Sequence, residues 1–351
     1  MIKVENLGKS LSILSPSLGK PSMPILACVR VRGEDKKLYL SASNMEMQID
    51  TVLDADVKGI DKFCIDASKL NQFAKLSGSS LIEIKHDGDK CALKAKSRAT
   101  VNALSFDDFP NMKISMDGAV SVTVDAGELS RSLSHVVVSV ANQDTRVFLN
   151  GLHCSIKGDQ LVLTGSDGNR LSQSKLTVTS SHDIECIIPK NTAIAISKTF
   201  NVGEIEIILS KNSITIDNGV TKLTGKNIEA KYPCFKKAID LDRVDIESNK
   251  SEFMSNIEAA AMNANPLYRG IAFDLTKNKI SMSAGSNGQE SSIDMDVEYS
   301  GSPVNTAFCA TFLTDGIKNF GENINISVCS KNIVITGDNK SDISLIMSMR
   351  T

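Results

Sequence analysis

The sequence predicts an α+β chain made of three tandem copies of one unit, each with two helices packed on antiparallel strands. Two observations carry this prediction. Phe63-Cys64, Glu185-Cys186 and Phe308-Cys309 each open a helix-like run that leads into an alternating strand, and the three cysteines stand 122 and 123 residues apart. The strands that follow, Ile82-Glu83-Ile84, Ile205-Glu206-Ile207 and Ile324-Asn325-Ile326, keep the same beat at 123 and 119 residues. A period this long exceeds any solenoid unit, so each copy is large enough to bury its own core. The 351 residues divide as 1–117, 118–240 and 241–351, with polar stretches near Asp117-Gly118 and near Asp240 at the joins.

In the first copy, Leu7, Leu11 and Leu14 recur at helical spacing within Val4–Leu14, and alternating segments follow at Val29–Val31, Leu38–Ser43 and Met45–Val52. Asp66 is placed to cap a second helix over Ala67–Leu76. Leu70, Phe73 and Ala74 form its inward stripe, and Lys69, Gln72 and Lys75 share the opposite side. Strands Leu81–Lys85 and Cys91–Lys96 meet at Asp87-Gly88-Asp89, a hairpin signal. The second copy gives helix Ala126–Val137, strands Gly151–Ser155 and Leu161–Gly165, helix Lys190–Phe200 with Pro189 in its first turn, and strands Glu204–Leu209 and Ser213–Asp217. The third gives helix Ser251–Ala264, strands Ile271–Leu275 and Ile280–Ala284, helix Phe312–Phe320, and strands Asn323–Val328 and Asn332–Thr336. Strand edges left open at the end of one copy invite continuation into the next.

Composition narrows the function. The 39 basic and 41 acidic residues nearly cancel, to a net charge of -2, so a polyanion site has to come from local sorting of charge. Aromatics make up 5% and tryptophan is absent, which argues against a stacking platform for single strands. Met1–Leu14 lacks a basic start followed by an apolar core, and no apolar run approaches the roughly 18 residues of a membrane span. A cytoplasmic protein with no membrane partner is expected. The eight cysteines are scattered through apolar strand-like runs without a Cys-x-x-Cys pair or a nearby histidine at ligand spacing, and are expected to be buried thiols rather than metal ligands or disulfides.

No catalytic constellation emerges. Gly165-Ser166-Asp167-Gly168-Asn169 has the look of a hydrolase block, but a Gly-x-Ser-x-Gly elbow is missing and the four histidines have no evident partner acid; a turn between strands is the better reading. There is no phosphate loop, no Gly-x-Gly-x-x-Gly and no paired-carboxylate signature. The expectation is a protein without catalytic residues, cofactor or metal.

Nine short segments in order then point to a family. They are Met23-Pro24-Ile25-Leu26, Asn44-Met45-Glu46-Met47, Asp108-Phe109-Pro110-Asn111, Gln143-Asp144-Thr145-Arg146 leading to Leu149-Asn150-Gly151, and Ser166-Asp167-Gly168-Asn169-Arg170-Leu171. Lys231-Tyr232-Pro233, Tyr268-Arg269-Gly270 and Met347-Ser348-Met349-Arg350 complete the series. From end to end the chain resembles the bacterial sliding clamps, the β subunit of DNA polymerase III. The resemblance implies the DNA-clamp fold in three copies, forming half of a six-domain ring closed by a homodimer around duplex DNA. Helices would line the hole and sheets would form the outer wall. Implied partners are the replicative DNA polymerase, a clamp-loader ATPase and other proteins carrying clamp-binding peptides. Enclosure would hold DNA without base readout, with basic side chains meeting phosphates.

By match to clamp positions, Lys20, Lys69, Lys75, Gln143 and Lys190 are implied near DNA, although the third copy's first helix offers Glu252 and Glu258 and no basic residue in the range read for it. A peptide pocket between the second and third copies is implied at Leu149, Ser166, Gly168, Asn169, Arg170 and Leu171. Its matches continue at Pro233, Lys237, Ala238, Tyr268 and Phe312, and at Leu345, Ile346, Met347, Ser348, Met349 and Arg350. Apolar walls with methionine suit several related extended peptides. Asn169 stands where the family often has histidine, Ser348 where it has proline, Lys237 for arginine and Ala238 for valine, which implies a roomier, more polar pocket. The dimer junction is implied at Ala99, Val101, Met262 and Asn263; Ala99 and Asn263 replace bulky apolar residues, which at roughly 25 cal/mol per Å² removes several kcal/mol of burial unless compensated. The alternative is therefore a clamp-fold module that recruits peptides, dimerises weakly and does not stay closed on DNA. A hydrolase using Ser166 is the remaining class, and it lacks a base.

Overall fold

The computed structural model describes every residue except 21, 116, 181, 236–238, 240–244, 339–340 and 350–351, so the expected join at Asp240 lies outside the described residues. The first copy runs β1 (Ile2–Lys3), α1 (Val4–Leu14), β2 (Cys28–Glu34), β3 (Lys37–Ser43), β4 (Met47–Asp54), β5 (Phe63–Asp66), α2 (Ala67–Leu76), β6 (Leu81–Asp87), β7 (Lys90–Lys94) and β8 (Arg98–Leu104). The second runs β9 (Val120–Asp125), α3 (Ala126–Val136), β10 (Gly151–Lys157), β11 (Gln160–Ser166), β12 (Arg170–Thr177), β13 (Thr179–Ser180), β14 (Ile184–Pro189), α4 (Lys190–Thr199), β15 (Glu204–Leu209), β16 (Ser213–Asp217) and β17 (Thr221–Lys226). The third runs β18 (Asp245–Asn249), α5 (Lys250–Ala260), β19 (Gly270–Thr276), β20 (Lys279–Ser286), β21 (Gln289–Asp296), β22 (Val304–Cys309), α6 (Ala310–Ile317), β23 (Asn323–Val328), β24 (Asn332–Gly337) and β25 (Asp342–Met347).

Local chemistry explains where elements begin. The Asp66 carboxylate accepts from the Lys69 amide at 2.8 Å, capping α2 as the sequence predicts. Asn249 does the same for α5, accepting from the amides of Ser251 and Glu252. At the β6–β7 hairpin Gly88 takes a φ of 60°, the left-handed backbone that a tight hairpin turn demands.

Several expectations are corrected. The Phe-Cys and Glu-Cys marks lie in strands β5, β14 and β22, which feed the second helix of each copy instead of opening it. At β5, buried on both faces over residues 63–65, a short apolar run has no period that separates strand from helix. Pro189 ends β14 rather than entering the first turn of α4. Helix α5 starts at Lys250, so it does carry a basic residue, but the Lys250 ammonium donates to the Phe320 carbonyl at 2.7 Å. Cysteines 28, 64, 91, 154 and 186 are buried as expected, whereas Cys234 is exposed and Cys309 and Cys329 are half-buried.

Contacts group the chain into two compact units. The first comprises 1–126, 179–184 and 198–227. It holds one thirteen-stranded sheet in the order β1-β6-β7-β8-β5-β2-β3-β4-β17-β16-β15-β9-β13, in which β4 of the first copy pairs antiparallel with β17 of the second. The Thr51 and Thr221 hydroxyls, buried across that seam, hydrogen-bond at 3.0 Å.

The second unit comprises 127–178, 185–197 and 228–351. Its eight-stranded sheet, β14-β10-β11-β12-β25-β24-β23-β18, repeats the same device, with β12 paired antiparallel to β25. A four-stranded sheet, β21-β20-β19-β22, completes the third copy. Phe253 and Ile257 of α5 and Leu313 and Ile317 of α6 fill its core, together with Phe273 and Phe308, whose rings meet edge-on at 5.7 Å. Ser174 and Arg131 both donate to the buried Asp342 carboxylate beside the β12–β25 seam.

Candidate functional site

The pocket residues predicted from sequence begin at the turn joining β11 to β12. Asp167 organises it, its Oδ1 accepting from the amides of Asn169 at 2.9 Å and Arg170 at 3.0 Å. The Ser166 hydroxyl donates to the Arg170 carbonyl at 2.7 Å and accepts from the Gly168 amide at 3.1 Å. Ser166 is thus held in the turn by the backbone of Gly168 and Arg170. Gly168 has a φ of 93°, a backbone that favours glycine, and a Cβ there would lie 3.1 Å from the Arg146 guanidinium, which would have to shift slightly.

Arg170 is the centre of the constellation. Its side chain is 13% exposed; Nε donates to Asp167 Oδ2 and Nη1 to Asp315 Oδ2, each at 3.0 Å, and the guanidinium lies 4.3 Å from the centre of the Phe312 ring. Two carboxylates and an aromatic face immobilise the fork. Arg146 supports the turn from the other side, pairing with Asp144 at 2.9 Å and donating to the Asp167 carbonyl at 3.3 Å. Asp315 was not legible as a site residue, and no local pattern in the sequence marks it.

Arg170 is the cross-strand partner of Ile346, and the next residue along, Leu171, faces the other side of the sheet, where it belongs to an apolar floor. Register pairs Leu171 with Leu345, and these two residues cluster with Val334, while Phe235, Ile239 and Ile343 pack against them. The Met347 amide donates to the Asn169 carbonyl at 2.9 Å, and the Met347 side chain remains 41% exposed at the rim. Strand alternation sends Ile346 to the opposite face, into the core of the third copy, so its side chain does not line the floor. Leu149 is buried, Pro233 is exposed, and Ser348 donates its amide to Lys331. Met349 turns to β22, donating its amide to the Ala307 carbonyl, and its sulfur approaches Gly270. Tyr268 is 61% exposed. Lys237, Ala238 and Arg350 lie outside the described residues.

The residues expected near DNA divide by unit. In the first, Lys20, Lys69 and Lys75 are exposed, the latter two on the outward side of α2. In the second, Gln143 is exposed with a φ of 54°. Lys190 is different: its ammonium donates to the Val140 carbonyl at 2.6 Å and to Asn142 Oδ1 at 2.8 Å. Burial pushes it below the usual lysine range, Arg170 adds to that, and Asp167 and Asp315 oppose it. Its charge is directed into the protein. Among the described residues no cluster of histidine, cysteine and carboxylate side chains could hold a metal, and no helix is long and apolar enough to cross a membrane.

Of the residues expected at a dimer junction, Ala99 is half-buried and Val101 buried on β8, and Met262 is 75% exposed. Asn263 donates from Nδ2 to the Glu290 carbonyl at 2.9 Å, tying the end of its helix to β21.

Three family models cover nearly the whole chain: the N-terminal domain of the DNA polymerase III beta subunit matches residues 1–113, the central domain 123–234 and the C-terminal domain 242–350. The chain belongs to the DNA polymerase III beta subunit family. It is accordingly a processivity factor, a clamp that works with DNA and a polymerase, and not an enzyme. The beta sliding clamp of Pseudomonas aeruginosa is 25% identical over 364 residues, covering 99% of each chain. That of Escherichia coli is 23% identical over 325 residues, 90% of this chain and 88% of the relative. The fold is that of a crystallised Pseudomonas aeruginosa sliding clamp bound to griselimycin, with TM-score 0.92, 23% identity and coverage of 100% and 98%. A Bacillus subtilis clamp aligns at TM-score 0.90 with 17% identity, covering 100% of this chain and 98% of that one.

Proposed function

We propose that two copies of this chain join head to tail into a six-domain ring around duplex DNA in the cytoplasm, placed there by a clamp-loader ATPase. The ring tethers polymerase and repair proteins through peptides seated at Arg170, Leu171, Leu345 and Met347. One observation carries the ring. Residues 98–102 of β8 pair with β7 alone among the described strands, and β21 ends its sheet, so each copy presents two unlike open edges. Lys96 and Arg98 sit by the first and Glu290 and Asp296 on the second, while Lys94 and Asp294 are paired within the chain to Glu83 and Lys279. Unlike edges of opposite charge favour joining one copy to the next, and a ring results when the rotation closes. Exposed Met262, beside the strand that Asn263 anchors, adds apolar surface to the same end.

The test is retention on nicked circular DNA after loading. The ring predicts that the protein stays on circles and is lost when they are linearised; equal escape from both overturns it. A second reading, a peptide-recruiting module that dimerises weakly, draws on the small Ala99 and the polar Asn263 at the open edges. Sedimentation across a dilution series separates the two: a monomer at micromolar concentration that still binds clamp peptides supports the second.

A further inference from the structure

The two seams between copies have the same register, but the side chains on one row of the first differ in charge from those of the second and line a cleft there. At the second seam His153, Thr164, Gln173 and Ile343 stand in one cross-strand row on β10, β11, β12 and β25. At the first seam the same row, on β2, β3, β4 and β17, is Arg30, Ser41, Asp50 and Lys222. A neutral row has become a charged one. Adjacent to it, Arg32, Tyr39 and Val52 form the next row on the same face. Together with Phe106 they line a cleft of about 360 Å³.

Its two arginines are pre-set. The Arg30 guanidinium lies 4.9 Å from the centre of the Phe106 ring and 5.0 Å from that of Phe109, and donates to Asn111 Oδ1 at 2.5 Å. The Arg32 guanidinium lies 4.4 Å over Tyr39 and pairs with Glu34 at 3.4 Å, with 39% of its side chain still exposed. Stacking on an aromatic face orients a planar guanidinium, and a fork of five N–H donors keeps some to meet an oxyanion beyond the one each arginine gives to Asn111 or Glu34. Being two residues apart on one strand, Arg30 and Arg32 are separated by about 6.8 Å along it, which is also the spacing of alternate side chains in any extended peptide. Asp50 and Asp217 also line the cleft, Asp50 accepting from the Gln48 side-chain amide and Asp217 from the Gly219 amide; these neutral donors hold them without removing their charge, so acidic side chains are directed to the arginines of β2.

We propose that this cleft at the first seam is a second docking site, taking an extended peptide with acidic side chains at alternate positions laid along β2. The site does not depend on ring closure or on the Arg170 pocket. Its chemistry is opposite in kind to the apolar floor at the second seam, so the two sites take different peptides.

The test is fluorescence anisotropy on the full chain with a labelled ten-residue peptide carrying glutamates at alternate positions between serines. A control peptide holds the same residues with the glutamates in one block. The alternating peptide binds the wild type and the blocked one binds at least fivefold more weakly. R32E and K222E, both at solvent-reaching positions, each weaken binding tenfold or more with an unchanged melting temperature, R30K weakens it by a smaller factor, and M347A leaves it unaltered. No binding to the wild type, equal binding of the two peptides, or retained binding by R32E overturns the proposal. Displacement of the peptide by a twelve-nucleotide single strand that binds more tightly also overturns it, and assigns the cleft to nucleic acid.

Discussion

Replacing Arg170 with alanine removes two charge-assisted hydrogen bonds, to Asp167 and Asp315, and a guanidinium stacked on Phe312. Loss of one partner of a fully buried ion pair costs about 3–5 kcal/mol because the remaining charge is stranded. Here the stranding is partial: Asp167 is 17% exposed and keeps two backbone donors, and Asp315 is 32% exposed and keeps Lys318 at 3.4 Å. The expected cost is therefore about 2–3 kcal/mol, with roughly 1 kcal/mol of it from the lost stacking. The assay is urea unfolding of the wild type, R170A, D315N and the double variant, followed by a probe in the second unit. The cycle should give a coupling of about 1–2 kcal/mol between Arg170 and Asp315. R170K should recover less than half of the loss, since an ammonium cannot bridge two carboxylates and stack at once. A coupling below about 0.3 kcal/mol would refute the view that this arginine fixes the pocket wall, because contacting partners in a real network exceed that noise level. A clamp-binding peptide should lose at least tenfold in affinity to R170A and little to a distant surface variant.

Burial pushes His135 below the ordinary imidazole value of 6.5, with Asp342 and the Ile343 carbonyl opposing and Arg131 adding to the shift. A depressed histidine means that the unfolded chain binds the extra proton first, so stability should fall as pH drops below about 6.5 and through the folded value. Unfolding midpoints from pH 8 to pH 5 check this, and H135Q should flatten that part of the slope. On nicked circular DNA, charge reversal at Lys69 and Lys75 should shorten retention and lessen its salt dependence, since each phosphate contact contributes a slope of about 0.9. K190A should instead lower thermal stability with little change in retention, its ammonium being bonded to Val140 and Asn142. R98E should raise the dimer dissociation constant by tenfold or more in sedimentation, and an unchanged constant would remove β8 from the junction.

The elements most legible in the sequence were those that signal within a few residues. The Asp66 cap, the turn at Gly88 and strands β15, β16 and β23 all follow from near neighbours. Strands β12 and β17 were invisible because serine, threonine and lysine fill much of the first and threonine and lysine much of the second, and both alternate poorly between apolar and polar residues. Their lysines are exposed, but several of their hydroxyls are buried all the same, since Ser172 meets Ser139 at 2.7 Å and Thr221 meets Thr51. A buried hydroxyl is tolerable when it has a partner, and that partner belongs to another segment. The candidate site divides in the same way. Asp167, Gly168 and Arg170 form a turn whose chemistry is local, whereas Ile346, next to Leu345, faces the core because the pleat, not proximity in sequence, sets direction.

What the amino-acid order determined unaided is the threefold beat, the caps and turns that punctuate it, and the segments that tie it to one family. Each depends on contacts between near neighbours or on a repeated pattern, so each survives without a folded chain. Only the tertiary structure decided which strands cross from copy to copy, and which of 41 carboxylates serves each arginine. Asp315 reaches Arg170 across 145 residues, and Asp342 reaches Arg131 across 211. A charge pair has no local signature, and its members are chosen by where packed strands and helices happen to place them.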